Sequence, residues 1–215
     1  MGGINMTTLQ NEIAHAMLKV GAVELNPTEL FTWASGIKSP IYCDTRLTIS
    51  DPVIRKQLAN GLASLIKENF AGTEVVAGTA TAGIPHAAWV SDILDLPMVY
   101  VRSKAKEHGR GNQIEGKYAA GQKVIVVEDI VSTGGSSITA VEALRAAGCE
   151  VLGVVCVYTY NLPRAEQAFD EAGIQYVSLT NFDYLIEAAN ESGAIKEEDI
   201  PFLKDWHAKL KAGEL

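Results

Sequence analysis

Two stretches in the first third of the chain carry apolar residues at helical spacing. Ile13, Met17 and Val20 fall on one face of residues 9–20, which predicts an amphipathic helix. Ile54, Leu58, Leu62 and Leu65 do the same after Asp51-Pro52, a pair that reads as an N-cap and a first-turn proline. Residues 21–50 between them show neither helical nor strand periodicity. Phe31-Thr32-Trp33, Ser35-Gly36 and Lys38-Ser39-Pro40-Ile41-Tyr42 predict short strands and loops, a small flap or hood outside the main sheet. From residue 74 strands and helices alternate. The expected strands are 74–77, 96–101, 124–127, 151–160 and, at an edge, 175–179; the expected helices are 84–94, one from 138, 163–172, 182–190 and 196–211. This alternation predicts one α/β domain: a hood over about 21–50, a core over about 51–190 with a central parallel sheet flanked by helices, and a C-terminal helix.

Val124-Ile125-Val126-Val127 has no polar break, the mark of a strand buried on both faces. Glu128 and Asp129 follow at its carboxyl end, then Ile130-Val131, then the loop Ser132-Thr133-Gly134-Gly135-Ser136-Ser137. Ligands of open parallel sheets sit beyond the carboxyl ends of strands. A glycine-rich turn frees backbone N–H groups there, and the helix that follows adds its positive dipole end, so an anion such as phosphate is favoured. The two carboxylates suit sugar hydroxyls or a divalent metal. A Walker loop is excluded because Ser136, not Lys, follows Gly135, and a dinucleotide fingerprint because Gly134 and Gly135 are adjacent.

Arg102–Gly121 links two strands without apolar periodicity and gathers Arg102, Lys104, Lys106, His108 and Arg110. Beside a phosphate loop, this segment reads as a mobile cationic lid, with Gly109 and Gly111 letting it move. It stands out because the 215-residue chain carries a formal charge of −8. That charge argues against a general nucleic-acid binder. Cys43, Cys149 and Cys156 lack metal-type spacing and read as reduced thiols, which fits a cytoplasmic protein. No apolar run reaches membrane-spanning length, and no signal peptide is expected. His15 and His207 are expected on helix surfaces, His86 in a structural role, and Trp33 in packing of the hood.

Three stretches resemble orotate phosphoribosyltransferases of the Gram-positive bacterial type, members of the type I phosphoribosyltransferase family. They are Phe31–Pro40, Arg102–Gly109, and residues 124–136, which match the family's motif for phosphoribosyl diphosphate (PRPP). The similarity runs in order and spacing from about residue 10 to 190. It implies transfer of phosphoribosyl from PRPP to orotate with Mg²⁺, in a homodimer whose lid reaches the neighbouring site. It also implies the type I phosphoribosyltransferase fold. By position, Glu128 and Asp129 would hold the ribose hydroxyls. Ile130, Val131, Ser132, Thr133, Gly134, Gly135 and Ser136 would form the PRPP loop, with Ser132 also near orotate. Arg102, Lys106 and His108 would bind pyrophosphate, and Lys106, His108 and Asp129 would be catalytic. Mg²⁺ would be held mainly by PRPP, with Asp129 the candidate protein ligand. The chain departs from the enterobacterial pattern at Ala34, Ala82 and Ser103, where that pattern has Lys, and at Tyr42-Cys43 in place of its aromatic pair. Arg164 is the candidate for the family's orotate-contacting Arg, although Tyr160 sits closer by position. Lys38 suits either the orotate carboxylate or an exposed strand end. A phosphoribosyltransferase for another base and a PRPP-binding regulator of transcription are the competing classes. The absence of a basic helix outside the lid counts against the regulator.

Overall fold

The structure, a computed structural model, describes residues 6–33, 35–104 and 113–215. Helix α1 (Met6–Lys19) leads into a hood of four short strands: β1 (Val23–Leu25), β2 (Phe31–Thr32), β3 (Lys38–Ser39) and β4 (Ile41–Cys43). β1 pairs antiparallel with β4, and β2 with β3, so the hood is two small ribbons. A 3-10 turn over Thr45–Ser50 returns the chain to α2 (Pro52–Asn69). Asp51 caps α2 as expected, its Oδ1 accepting from the amides of Val53 at 2.8 Å and Ile54 at 3.0 Å.

The core then runs β5 (Val75–Thr79), α3 (Gly83–Leu94), β6 (Met98–Val101), β7 (Ile114–Glu115), β8 (Lys123–Val131), α4 (Gly135–Ala146), β9 (Glu150–Thr159), α5 (Pro163–Glu171), β10 (Tyr176–Asn181), α6 (Phe182–Glu191) and α7 (Ile200–Ala212). The sheet order is β10-β9-β8-β5-β6-β7. Side chains alternate across it: Val124 and Val126 join the cluster of α4 and α5, while Ile125 and Val127 join that of α1, α2, α6 and α7. That two-sided burial is why β8 reads as an unbroken apolar run.

Three expectations are corrected. β6–β7 is antiparallel, so the sheet is mixed, and β7 lies inside the stretch read as structureless. Ile114 is buried there at the sheet edge, with Tyr118 packed against the same cluster, and a strand of two residues is too short to show a period. β5 and β8 also run further than expected, because parallel pairing continues through the polar residues: Gly78 pairs with Val127 and Tyr100, and Glu128 with Cys156. His207 is buried rather than on the surface. Leu203, Trp206 and His207 form the inner stripe of α7. His207 Nε2 lies 2.7 Å from the Tyr160 carbonyl, which only accepts, so Nε2 carries the proton. The imidazole stacks on Phe182 with ring centroids 3.9 Å apart. His86 is structural as expected, fully buried and edge-on to Trp89, and burial pushes its imidazole down to about 4.

Gly83 sets how closely α3 approaches β8. A Cβ there would lie 2.5 Å from the Val127 carbonyl oxygen, a backbone atom that no side-chain rotation removes. Gly83→Ala should therefore cost about 1–3 kcal/mol by overpacking. Urea unfolding measures it, and wild-type stability in the variant would show that α3 shifts freely.

Candidate active site

The carboxyl ends of β5 and β8 meet at a cleft of about 560 Å³, lined by Asp44, Thr45, Arg46, Ala80, Thr81, Ala82, Glu128, Asp129, Ile130 and Ser136. Every part of it is delivered by the end of a regular element. β8 brings the acidic pair, the turn after β5 brings residues 80–82, and the exit from the hood brings residues 44–46.

Glu128 points inward and is 4 % exposed. Its Oε2 accepts from the Ser136 hydroxyl at 3.0 Å and the Ser137 hydroxyl at 3.2 Å, and its Oε1 from the Asp129 amide at 3.1 Å. Burial, and then the neighbouring Asp129 carboxylate, push the Glu128 carboxyl up to about 8, against the Asp129 amide and Ser136, which favour the charged form. Asp129 faces the cleft, where its Oδ2 accepts from the Thr45 hydroxyl at 2.5 Å. One acid thus holds the loop and the other is presented to a ligand.

The loop turns at Gly134 with φ of 82°, and a Cβ there would sit 2.8 Å from the Phe169 ring. Both the backbone and the space require glycine. Gly134 caps α4 without a side-chain bond, which leaves the first amides of the helix directed at whatever lies beyond the loop. Ser132, Thr133, Gly135 and Ser136 are exposed around that end, while Val131 is buried and Ile130 half-buried. An uncapped helix start with hydroxyl donors beside it has the chemistry to suit an anion.

The other expected residues are placed unevenly. Arg102 exchanges hydrogen bonds with Gln113, and its guanidinium lies 3.6 Å from Glu115, so it is held between β6 and β7. A small cavity of about 120 Å³ joins Arg102 and Ser103 to Gly135, Ser136 and Thr139. Lys106 and His108 lie outside the described residues, as do Ala34 and the rest of residues 105–112. Lys38 is on the exposed side of the hood, its Nζ donating to Thr32 Oγ1 at 2.7 Å. Arg164 is exposed on the first turn of α5. Neither lines the cleft. Trp33 packs as expected, its indole N–H on the Ile41 carbonyl and its ring edge-on to Tyr160 and Trp206. Sequence reasoning missed Asp44, Thr45 and Arg46. The charged pair at 44 and 46 was the available signal, but only the fold brings it within reach of Asp129, more than 80 positions away.

Among the described residues no group of three or more His, Cys, Asp or Glu side chains is placed to hold a metal. Asp129 offers one hard carboxylate at the cleft. That suits a Mg²⁺ ion whose other oxygen ligands come from a diphosphate and water.

A mixed sheet with an acidic pair on one strand and an uncapped helix beside it has the donors and acceptors that suit a phosphorylated sugar. The family model for the phosphoribosyl transferase domain matches residues 48–182. The chain is 58 % identical over 199 residues to the orotate phosphoribosyltransferase of Listeria innocua, covering 93 % of this chain and 95 % of that one. It is similar to the crystal structure of orotate phosphoribosyltransferase from Aeropyrum pernix, with a TM-score of 0.74 and 28 % identity over 86 % of this chain and 99 % of the other. It is also similar to the Mycobacterium tuberculosis enzyme in complex with PRPP, with a TM-score of 0.63 and 26 % identity over 81 % and 98 %. This chain belongs to the orotate phosphoribosyltransferases, within the phosphoribosyltransferase family.

The Glu128 carboxyl yields a pH test. Its folded value lies above the ordinary 4.5, so folding favours the protonated form, and that stability is complete below about pH 4.5 and lost as pH rises to about 8. Between pH 5 and 8, ligand-free wild type should lose more melting temperature than Glu128→Gln. Parallel pH profiles would put the carboxyl at its ordinary value.

Proposed function

We propose that this protein transfers the 5-phosphoribosyl group of PRPP to orotate, giving orotidine 5′-monophosphate and pyrophosphate in de novo pyrimidine synthesis. The observation that carries this is the 58 % identity, over nearly the whole of both chains, to an orotate phosphoribosyltransferase. The acidic pair beside the uncapped α4 supports it. The chain acts as a single domain of hood, core and C-terminal helix, in the cytoplasm, where a charged phosphosugar substrate is held.

In this reading Glu128 and Asp129 take the ribose hydroxyls, and Glu128 also holds the loop in register. The backbone from Ile130 to Ser136 and the first turn of α4 take the 5′-phosphate, and Ser132 reaches the base. Lys38 and Arg164 are the candidate cations for the orotate carboxylate. During transfer, N1 of orotate loses its proton to water and bonds to the anomeric carbon as the bond to pyrophosphate breaks, whose electron pair leaves with the oxygen. The carbon passes through an oxocarbenium-like state, and charge grows on the departing group. Arg102, Lys106 and His108 meet that charge. Mg²⁺, when bound, supplies further charge neutralisation there. The protein is a homodimer, and Lys106 and His108 serve the partner's cleft.

Ultraviolet monitoring with PRPP and Mg²⁺ should show consumption of orotate and not of uracil, hypoxanthine or adenine; use of another base instead would sink the reading. Asp129→Asn should abolish PRPP binding in calorimetric titration at an unchanged melting temperature, because an amide presents donors where the ribose hydroxyls need acceptors. Unaltered affinity would remove Asp129 from the site.

Shared sites make a separate prediction. Lys106→Ala and Asp129→Asn should each be inactive alone. Mixed and allowed to exchange, they form heterodimers as about half of all dimers, each with one intact cleft under one intact lid, so activity should recover to about a quarter of wild type. Verified heterodimers as inactive as their parents would show that the lid serves its own subunit.

A further inference from the structure

Among the described residues lining the cleft three are acidic, Asp44, Glu128 and Asp129, and Arg46 is the one cation. Arg46 is held in a defined direction. Its Nε and Nη2 donate to the two carboxylate oxygens of Asp44 at 2.6 and 2.9 Å, and its own amide donates to Asp44 Oδ1 at 3.2 Å. Such a fork-on-carboxylate pair fixes the plane of the guanidinium. It uses the Nε edge and leaves both N–H groups of Nη1 and one of Nη2 for another acceptor. The side chain is 66 % exposed, so those donors are open to a ligand.

The facing wall is the turn after β5, which contains no cation: it reads Thr79-Ala80-Thr81-Ala82-Gly83. It leads into α3, whose N-cap Ala82 makes no side-chain bond to the helix amides. An anion between this wall and Arg46 would meet helix amides on one side and a guanidinium on the other. Of the two anionic reactants, the one whose charge increases during reaction gains most from such a pair. Orotate brings a single carboxylate, whereas pyrophosphate leaves with an added electron pair.

We propose that Arg46 binds the pyrophosphate group of PRPP and stabilises it as it departs, supplying from the hood the cation that the turn after β5 lacks. The inference rests on the phosphoribosyl-transfer reading. It makes the hood a participant in leaving-group chemistry as well as a cover for the base. Asp44 is then a positioning residue that acts through Arg46.

Calorimetric titration of pyrophosphate with Mg²⁺ into wild type, Arg46→Gln and Arg46→Lys tests it directly. Arg46→Gln should bind pyrophosphate about tenfold or more weakly, the effect of losing a charge-assisted contact, and Arg46→Lys should recover part of that. In steady-state assays the KM for PRPP and, in reverse, for pyrophosphate should rise together, with the KM for orotate within about twofold. Unchanged pyrophosphate affinity in Arg46→Gln, at a wild-type melting temperature, would overturn the proposal. So would a rise confined to the KM for orotate, which would move Arg46 to the base. A wild type that binds pyrophosphate through Arg46 yet consumes no orotate would refute the choice of base and leave the role of Arg46 standing.

Discussion

The site depends on a carboxyl group that lines the cleft and at the same time holds its own loop in place. Glu128 lies within the pairing of β8 with β9, buried, and receives two serine hydroxyls from the first turn of α4 together with the amide of its neighbour. A strand end and a helix start are thereby held together across a loop of three residues, two of them exposed. Removing the acceptor would strand two hydroxyls and an amide in a confined space, a cost greater than the bonds themselves are worth. With the serine hydroxyls taken by Glu128, the Asp129 side chain turns to the cleft and to Thr45.

The same division recurs around the cleft. Trp33, Tyr160, Trp206, Phe182 and His207 form one aromatic block that fixes the hood against α7 and the end of β9. Thr45, at the exit from the hood that this block holds, donates its hydroxyl to Asp129. A shift of the hood is therefore felt at Asp129, in the cleft. Packing with no chemistry of its own sets the position of the groups that have it.

How much of this the sequence shows varies with the range of the interaction. β8 and its loop were legible because strand, acids, glycines and helix are contiguous, and each local rule points to the same structure. The cap at Asp51 and the stripe of α2 were legible for the same reason. The edge strand at Ile114 was not, because two residues carry no period and β6 supplies the order. His207 was misplaced although Leu203 and Trp206 share its stripe, since a histidine in such a stripe reads as its polar border. Thr45 gave no signal, and the charged pair Asp44 and Arg46 gave one that local pattern could not place. Their meaning comes from a tertiary contact with Asp129, and local pattern is silent on contacts of that range.

The pairing of Trp206 with the hood bears on how the protein is made. The indole N–H donates to the carbonyl of Lys38 at 2.9 Å, so a strand formed from the first fifth of the chain takes a partner from the last tenth. A ribosome releasing the chain from its N-terminus delivers the whole sheet before that donor emerges. The nascent protein thus has a phosphate loop and an acidic pair before it has a fastened roof. The step that completes the enzyme is the arrival of its final helix.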